Sequence, residues 1–227
     1  MSLATHQANV TAVVELIKRR AQAGERMIVA IAGPPASGKT TLAEAVVERL
    51  NTVGSSGEPR RAAVLPMDGF HLDNETLQAR GLLARKGAVE TFDANGFCAA
   101  IRTIVEEGGA QHMPGFDRDE DRVIPNQIHI AEEAQVIVTE GNYLLLDQSP
   151  WRELRPMFTA SVFVKAPIEV LRVRLLERWL DQNLSQQEAQ KRVANNDLPN
   201  ALHVLSRSVD ADLFVEHEVH DDLVEVG

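Results

Sequence analysis

Residues Gly33-Pro-Pro-Ala-Ser-Gly38-Lys39-Thr40 set two glycines, a lysine and a hydroxyl at the spacing G-x-x-x-x-G-K-[ST]. What flanks this octapeptide constrains the fold. Met27-Ile-Val-Ala-Ile-Ala32 is a short, continuous apolar run, as expected of a strand buried on both faces. From Thr40, the residues Leu42, Val46, Val47 and Leu50 recur at helical spacing. A strand that passes through such a loop into a helix turns backbone N–H groups into an anion-binding concavity at the positive end of the helix. The glycines allow a close approach without Cβ crowding. Gly33, Ala36, Ser37, Gly38, Lys39, Thr40 and Thr41 are therefore the candidate phosphate-binding residues. In this pattern the lysine reaches the β- and γ-phosphates of a nucleoside triphosphate, and the Thr40 hydroxyl serves Mg²⁺.

The remainder alternates apolar strands with amphipathic helices, the signature of a mostly parallel α/β sheet covered on both faces. Val10, Val13, Val14 and Ile17 predict a first helix within residues 1–24. Strands are predicted at Ala62–Met67, Ala134–Thr139, Ala160–Lys165 and Leu213–Glu216. Helices are predicted at Ala94–Glu107, closed by Gly108-Gly109, and at Ile168–Leu180. Ser185-x-x-Glu188 is a capping box that starts another helix. Residues 53–59 read as an exposed loop, because the next strand resumes immediately. A single domain over 1–227 is expected, with substrate-binding insertions in 71–130 and a lid with its following helices in 168–200.

Composition narrows the partners. The 227 residues carry a net charge of −10, opposite in sign to a protein that coats duplex nucleic acid or an anionic membrane. No apolar run approaches the roughly 18 residues of a membrane-spanning helix. The single cysteine, Cys98, forbids an internal disulfide and fits a reducing compartment, so a cytoplasmic location is expected. A homodimer is left open.

A phosphate-binding loop does not say what becomes of the phosphate. Asp68, in Pro66-Met67-Asp68-Gly69-Phe70-His71, stands at the C-terminal end of the second strand, the edge where open α/β sheets bind ligands. A carboxylate there can take the proton of an acceptor hydroxyl held in line with a γ-phosphate, although Asp-Gly also favours a plain turn. The alternative class is a GTPase or NTP hydrolase acting as a regulatory switch. That class calls for an Asn-Lys-x-Asp segment, which is missing, and the one D-x-x-G match, Asp93-Ala-Asn-Gly96, lies at a helix start. Glu216-His-Glu-Val-His-Asp-Asp222 has metal-capable side chains but reads as a solvated acidic tail.

At these residues the chain resembles the P-loop kinases that include phosphoribulokinase, uridine kinase and bacterial-type pantothenate kinase. Within that group it looks most like the fructose transport system kinases. Gly33–Thr40 resembles their nucleotide loop, and Met67-Asp68-Gly69-Phe70-His71 their catalytic-aspartate motif. Arg85-Lys86-Gly87-x-x-Glu90-Thr91-Phe92-Asp93 is similar to a stretch of the pantothenate kinase branch, and Pro114-Gly-Phe-Asp117-Arg118 to the substrate loop. Val138-Thr-Glu140-Gly141 and Asn196-Asp197-Leu-Pro-Asn200 resemble two further motifs of the group. The resemblance implies ATP with Mg²⁺, a small-molecule hydroxyl as acceptor, Asp68 as base, Lys39 on the phosphates, and Glu140 beside the metal. It implies a lid based on Val170–Leu180, where Arg174 and Arg178 share a face at i and i+4 while Arg172 points elsewhere. His71, Arg85, Asp117 and Arg118 are the candidate substrate-binding residues.

Overall fold

The computed structural model describes residues 3–22, 24–52 and 61–216. The run Met27–Ala32 is strand β1, with every residue buried. Its alternate side chains serve two cores, which is why the run is apolar without a break. Met27, Val29 and Ile31 pack towards helices α1 (Leu3–Arg20) and α2 (Lys39–Thr52). Ile28, Ala30 and Ala32 join the opposite core with Phe97, Ile101, Tyr143 and Trp151. Burying each large apolar side chain of these cores stabilises the fold by about 1.5–3 kcal/mol before the entropy of ordering is counted.

The sheet is parallel throughout, in the order β2 (Ala62–Pro66), β5 (Val136–Gly141), β1, β6 (Ala160–Lys165), β7 (Leu213–Glu216). Its register places Glu140 opposite Ile31 on one side and Pro66 on the other. The ends of β1, β2 and β5 therefore lie level along one edge, and that edge carries the site.

Three predicted features differ in detail. The second strand stops at Pro66, and Met67–Phe70 forms a 3₁₀ turn that lifts Asp68 off the sheet. Residues 114–125, within the predicted substrate-binding insertions and beginning with the segment that resembles a substrate loop, form much of an antiparallel hairpin, β3 (Gln111–Asp117) with β4 (Arg122–Ile130). The charged tip hid the pattern, because the apolar positions Met113 and Ile130 lie near the hairpin base. The predicted strand at Ala134–Thr139 begins two residues later and runs to Gly141.

After the short helix α3 (Asn74–Ala79), helix α4 (Ala94–Glu106) covers the sheet, with Asp93 as its cap: the Asp93 side chain accepts from Gly96 N at 2.9 Å. The D-x-x-G match is thus a helix start, as its position suggested. Helix α5 (Ile168–Asp181) leads to α6 (Gln186–Arg192), whose Ser185–Glu188 capping box is present. A single π turn, Val193–Asp197, then joins α6 to α7 (Leu198–Arg207). The loop at 53–59 and the acidic stretch after Glu216 lie outside the described residues.

Candidate active site

The loop after β1 has the backbone of an anion cradle. Ala36 and Gly38 take φ angles of +62° and +89°, the left-handed turn that gathers successive N–H groups into a concavity. Ser37 Oγ, fully buried within the loop, has no hydrogen-bond partner among the described residues. An orphan hydroxyl inside such a cradle fits a phosphate.

Lys39 and Thr40 open α2 beneath the loop. Burial lowers the Lys39 pKa and raises that of Glu140, and each charge opposes the other's shift. Asp68 opposes the Lys39 shift by favouring its cation and adds to the Glu140 shift by disfavouring its anion. Thr40 Oγ1 donates to Glu140 Oε1 at 3.1 Å, so the two candidate metal residues are brought together. A hydroxyl and a carboxylate, both hard oxygen donors beside a phosphate cradle, suit Mg²⁺. Glu140 lies within β5 and is only 2% exposed, which marks it as an internal charge rather than the opening of a surface turn.

Asp68 faces the loop from the 3₁₀ turn after β2. Arg118 Nη2, on the hairpin, donates to Asp68 Oδ2 at 2.8 Å. Gly69 makes this meeting feasible: a Cβ there would stand 2.1 Å from the Pro114 carbonyl oxygen. The Asp-Gly pair thus seats the hairpin against the turn as well as bending the chain. His71 lies between the rings of Phe92 and Phe116, at 4.0 and 4.7 Å. Its Nδ1 is 2.8 Å from the Asp68 carbonyl oxygen, which requires the proton on Nδ1 and leaves Nε2 free to accept. Burial lowers the His71 pKa, keeping the ring neutral near pH 7.

Lys39, Thr40, Asp68, His71, Arg118 and Arg178 line one cleft of about 390 Å³. A larger groove of about 660 Å³ between β6, β7 and α7 contains none of them. The two arginines expected on a lid divide. Arg178 enters the cleft, where burial and the neighbouring Arg118 lower its pKa, so its charge gains from an arriving anion. Arg174 instead donates from Nη1 to the Ala36 carbonyl oxygen at 3.3 Å, bracing the phosphate loop from behind.

Two predicted substrate residues are not brought into the cleft. Arg85 pairs with Glu90 at 2.9 Å and is exposed. Asp117 accepts the backbone N–H groups of Asp119 and Glu120, both at 3.0 Å, and so shapes the hairpin turn. The next residue in the chain, Lys86, lines the cleft in place of Arg85. Lys86 Nζ is held by Asn74 Oδ1 and the Asp121 carbonyl oxygen, each at 2.7 Å, and by Asp121 Oδ1 at 2.9 Å. Sequence reading also missed Asn142, Trp179 and Arg192, which line the same cleft. The only signal for them was proximity to the segments 138–141, 170–180 and 196–200.

Residues 28–221 match the phosphoribulokinase/uridine kinase family. The chain belongs to that family. It is 37% identical over 193 residues to the protein YggC of Escherichia coli strain K12, covering 84% of this chain and 78% of that one. A candidate fructose transport system kinase from Silicibacter sp. TM1040 superposes with a TM-score of 0.83 at 38% identity, covering 90% of this chain and 98% of its own. The pantothenate kinase of Rhodococcus erythropolis is 28% identical over 156 residues, or 67% of this chain and 48% of the relative. The fold and the family are those of the P-loop kinases, and no helix among the described residues is long and apolar enough to cross a membrane.

Proposed function

We propose that this protein transfers the γ-phosphoryl group of ATP to a hydroxyl of a small molecule, with sugars, pantothenate-like compounds and nucleosides as the acceptor classes. The carrying observation is that Asp68 and Lys39, from different strand ends, face one cleft of about 390 Å³. Lys39 and the loop N–H groups bind the phosphates. Thr40 and Glu140 would hold Mg²⁺, which would supply positive charge to offset that of the phosphates. The acceptor enters on the Asp68 side, displaces Arg118 from the carboxylate, and gives its hydroxyl proton to Asp68 as its oxygen bonds to the γ-phosphorus and the bond from that phosphorus to the bridging oxygen of ADP breaks, releasing ADP. Arg118 and Arg178 then neutralise charge on the transferring group. In this reading Arg174 is a positioning residue, because it touches the loop and not the reacting atoms.

The test is ADP release with Mg·ATP in the presence of fructose, other sugars, pantothenate, uridine and nicotinamide riboside. Stimulation by one class identifies the acceptor type. If none stimulates release while GTP alone is hydrolysed, the switch reading replaces this one.

A further inference from the structure

Arg192 lines the same cleft and is not used by the steps above. We propose that the acceptor carries an anionic oxygen group, a carboxylate or phosphate, in addition to its reacting hydroxyl, and that Arg192 binds this group. The inference rests on the kinase reading and names the substrate class within it.

Arg192 is held by stacking. Its guanidinium lies 4.1 Å from the ring centre of Trp179, and its Nε is buried with no hydrogen-bond partner among the described residues. Trp179 is fixed in turn, since its Nε1–H donates to Asp197 Oδ2 at 2.6 Å. A structural arginine spends its donors on protein oxygens, as Arg26 does on the carbonyls of Gly109, Ala131, Glu132 and Ala134. Arg192 forms no ion pair among the described residues, and an aromatic face fixes its plane while leaving its edge free. A stacked, unspent fork is suited to bidentate recognition of a planar carboxylate or a phosphate. Asp197 is the acid beside it, and one of its oxygens is already taken by Trp179.

The position of Arg192 in the chain also turns it towards the acceptor. Arg192 ends α6, and the π turn that follows brings Asn196 and Asp197 inward, a helix irregularity common at functional sites. Asn196 Nδ2 donates to the Lys86 carbonyl oxygen at 3.0 Å, which anchors this turn to the acceptor half of the cleft. Arg174, by contrast, is anchored to the phosphate loop. Of the other cations there, Lys86 is held by Asn74 and Asp121, and Arg118, once released from Asp68, serves the transferring group. That leaves Arg192 as the group to meet an anion there.

Two measurements test this. With a non-hydrolysable ATP analogue and Mg²⁺ filling the nucleotide side, inorganic phosphate is titrated against tryptophan fluorescence. Trp151 is only 1% exposed in the core, so a saturable change reports Trp179. Arg192→Ala should weaken phosphate binding at least tenfold, and Arg192→Lys should restore part of it. ADP release is then compared within matched pairs: glycerol and D-glycerate, pantothenol and pantothenate, fructose and fructose 1-phosphate. The anionic member of a pair should be favoured at least tenfold, and Arg192→Ala should raise its KM by 10–100-fold while KM for ATP stays within twofold. The D-glycerate and pantothenate arms report a carboxylate, and the fructose 1-phosphate arm a phosphate. Equal or better use of the neutral members overturns the proposal and leaves the kinase reading standing. Phosphate binding that survives Arg192→Ala, or an Arg192→Ala effect on KM for ATP alone, also overturns it. Saturable, Arg192-dependent phosphate binding without turnover of any pair upholds the anion site and counts against the kinase reading.

Discussion

In the proposed reading the cleft has a nucleotide half and an acceptor half, and the two are built by different means. The nucleotide half rests on backbone: a left-handed turn at Ala36 and Gly38, and a strand register that puts Glu140 between the ends of β1 and β2. The acceptor half rests on side chains from separate segments that hold one another, Asp68 with Arg118 and Lys86 with Asp121. A half made of backbone is preorganised whether or not ligand is present. A half made of paired side chains has to exchange partners when its ligand arrives.

The largest effect should come from Asp68→Asn. General base catalysis contributes about 10²–10⁴-fold, so kcat should fall by that factor. Mg·ATP affinity, measured by calorimetry, should stay within twofold, because the nucleotide half does not depend on the carboxylate. Retained turnover would remove Asp68 from the base role. The lid arginines should split next. Arg178→Ala should lower kcat by about 10–10²-fold with KM for ATP nearly constant, as expected of a charge felt mainly in the transition state. Arg174→Ala should raise KM for ATP instead, since it loosens the loop at Ala36. Identical patterns in the two variants would break the division between the halves.

The same contrast explains what the sequence disclosed. The phosphate loop is contiguous, so its spacing and flanking strand were readable from Gly33 to Thr40. Asp68 and Glu140 were readable because each lies at a strand end or just beyond it, and strand ends share an edge in a parallel sheet. The acceptor half has no such rule. Its hairpin tip is charged and reads as a solvated loop, and whether Arg85 or Lys86 faces inward depends on a 3₁₀ turn at Leu83–Arg85 that no periodicity announces. Arg192 escaped notice for a similar reason, because a π turn follows it and shifts the helical phase by one residue.

Gly69 tests whether the halves are joined by packing. The Cβ of Gly69→Ala would meet the Pro114 carbonyl oxygen at 2.1 Å, so either the 3₁₀ turn or the hairpin has to move. Overpacking of this kind costs about 1–3 kcal/mol, or roughly 2–4 °C in Tm per kcal/mol for a chain of this size. Thermal melting should show that loss. Activity should fall with it, because the displaced elements carry Asp68 and Arg118. ATP affinity should not change. A variant with the same Tm and activity would mean that the hairpin is not held against the turn by this contact.

The smallest expected effect separates two neighbouring cations. Lys86 is 8% exposed and its three contacts fix Asn74 and Asp121 at the mouth of the acceptor half. Its truncation to alanine leaves those oxygens without their donor, at a cost of about 1–3 kcal/mol. KM for the acceptor should rise by about tenfold as the wall loosens. Arg85, one residue earlier, forms an exposed pair with Glu90, and such pairs contribute little. Arg85→Ala should therefore shift KM by less than twofold and leave Tm unchanged. Steady-state kinetics of both variants against one acceptor make the comparison direct. If Arg85→Ala is as damaging as Lys86→Ala, the acceptor half extends beyond the cleft to the outer face of the 83–85 turn, and the wall is not the one built by Lys86.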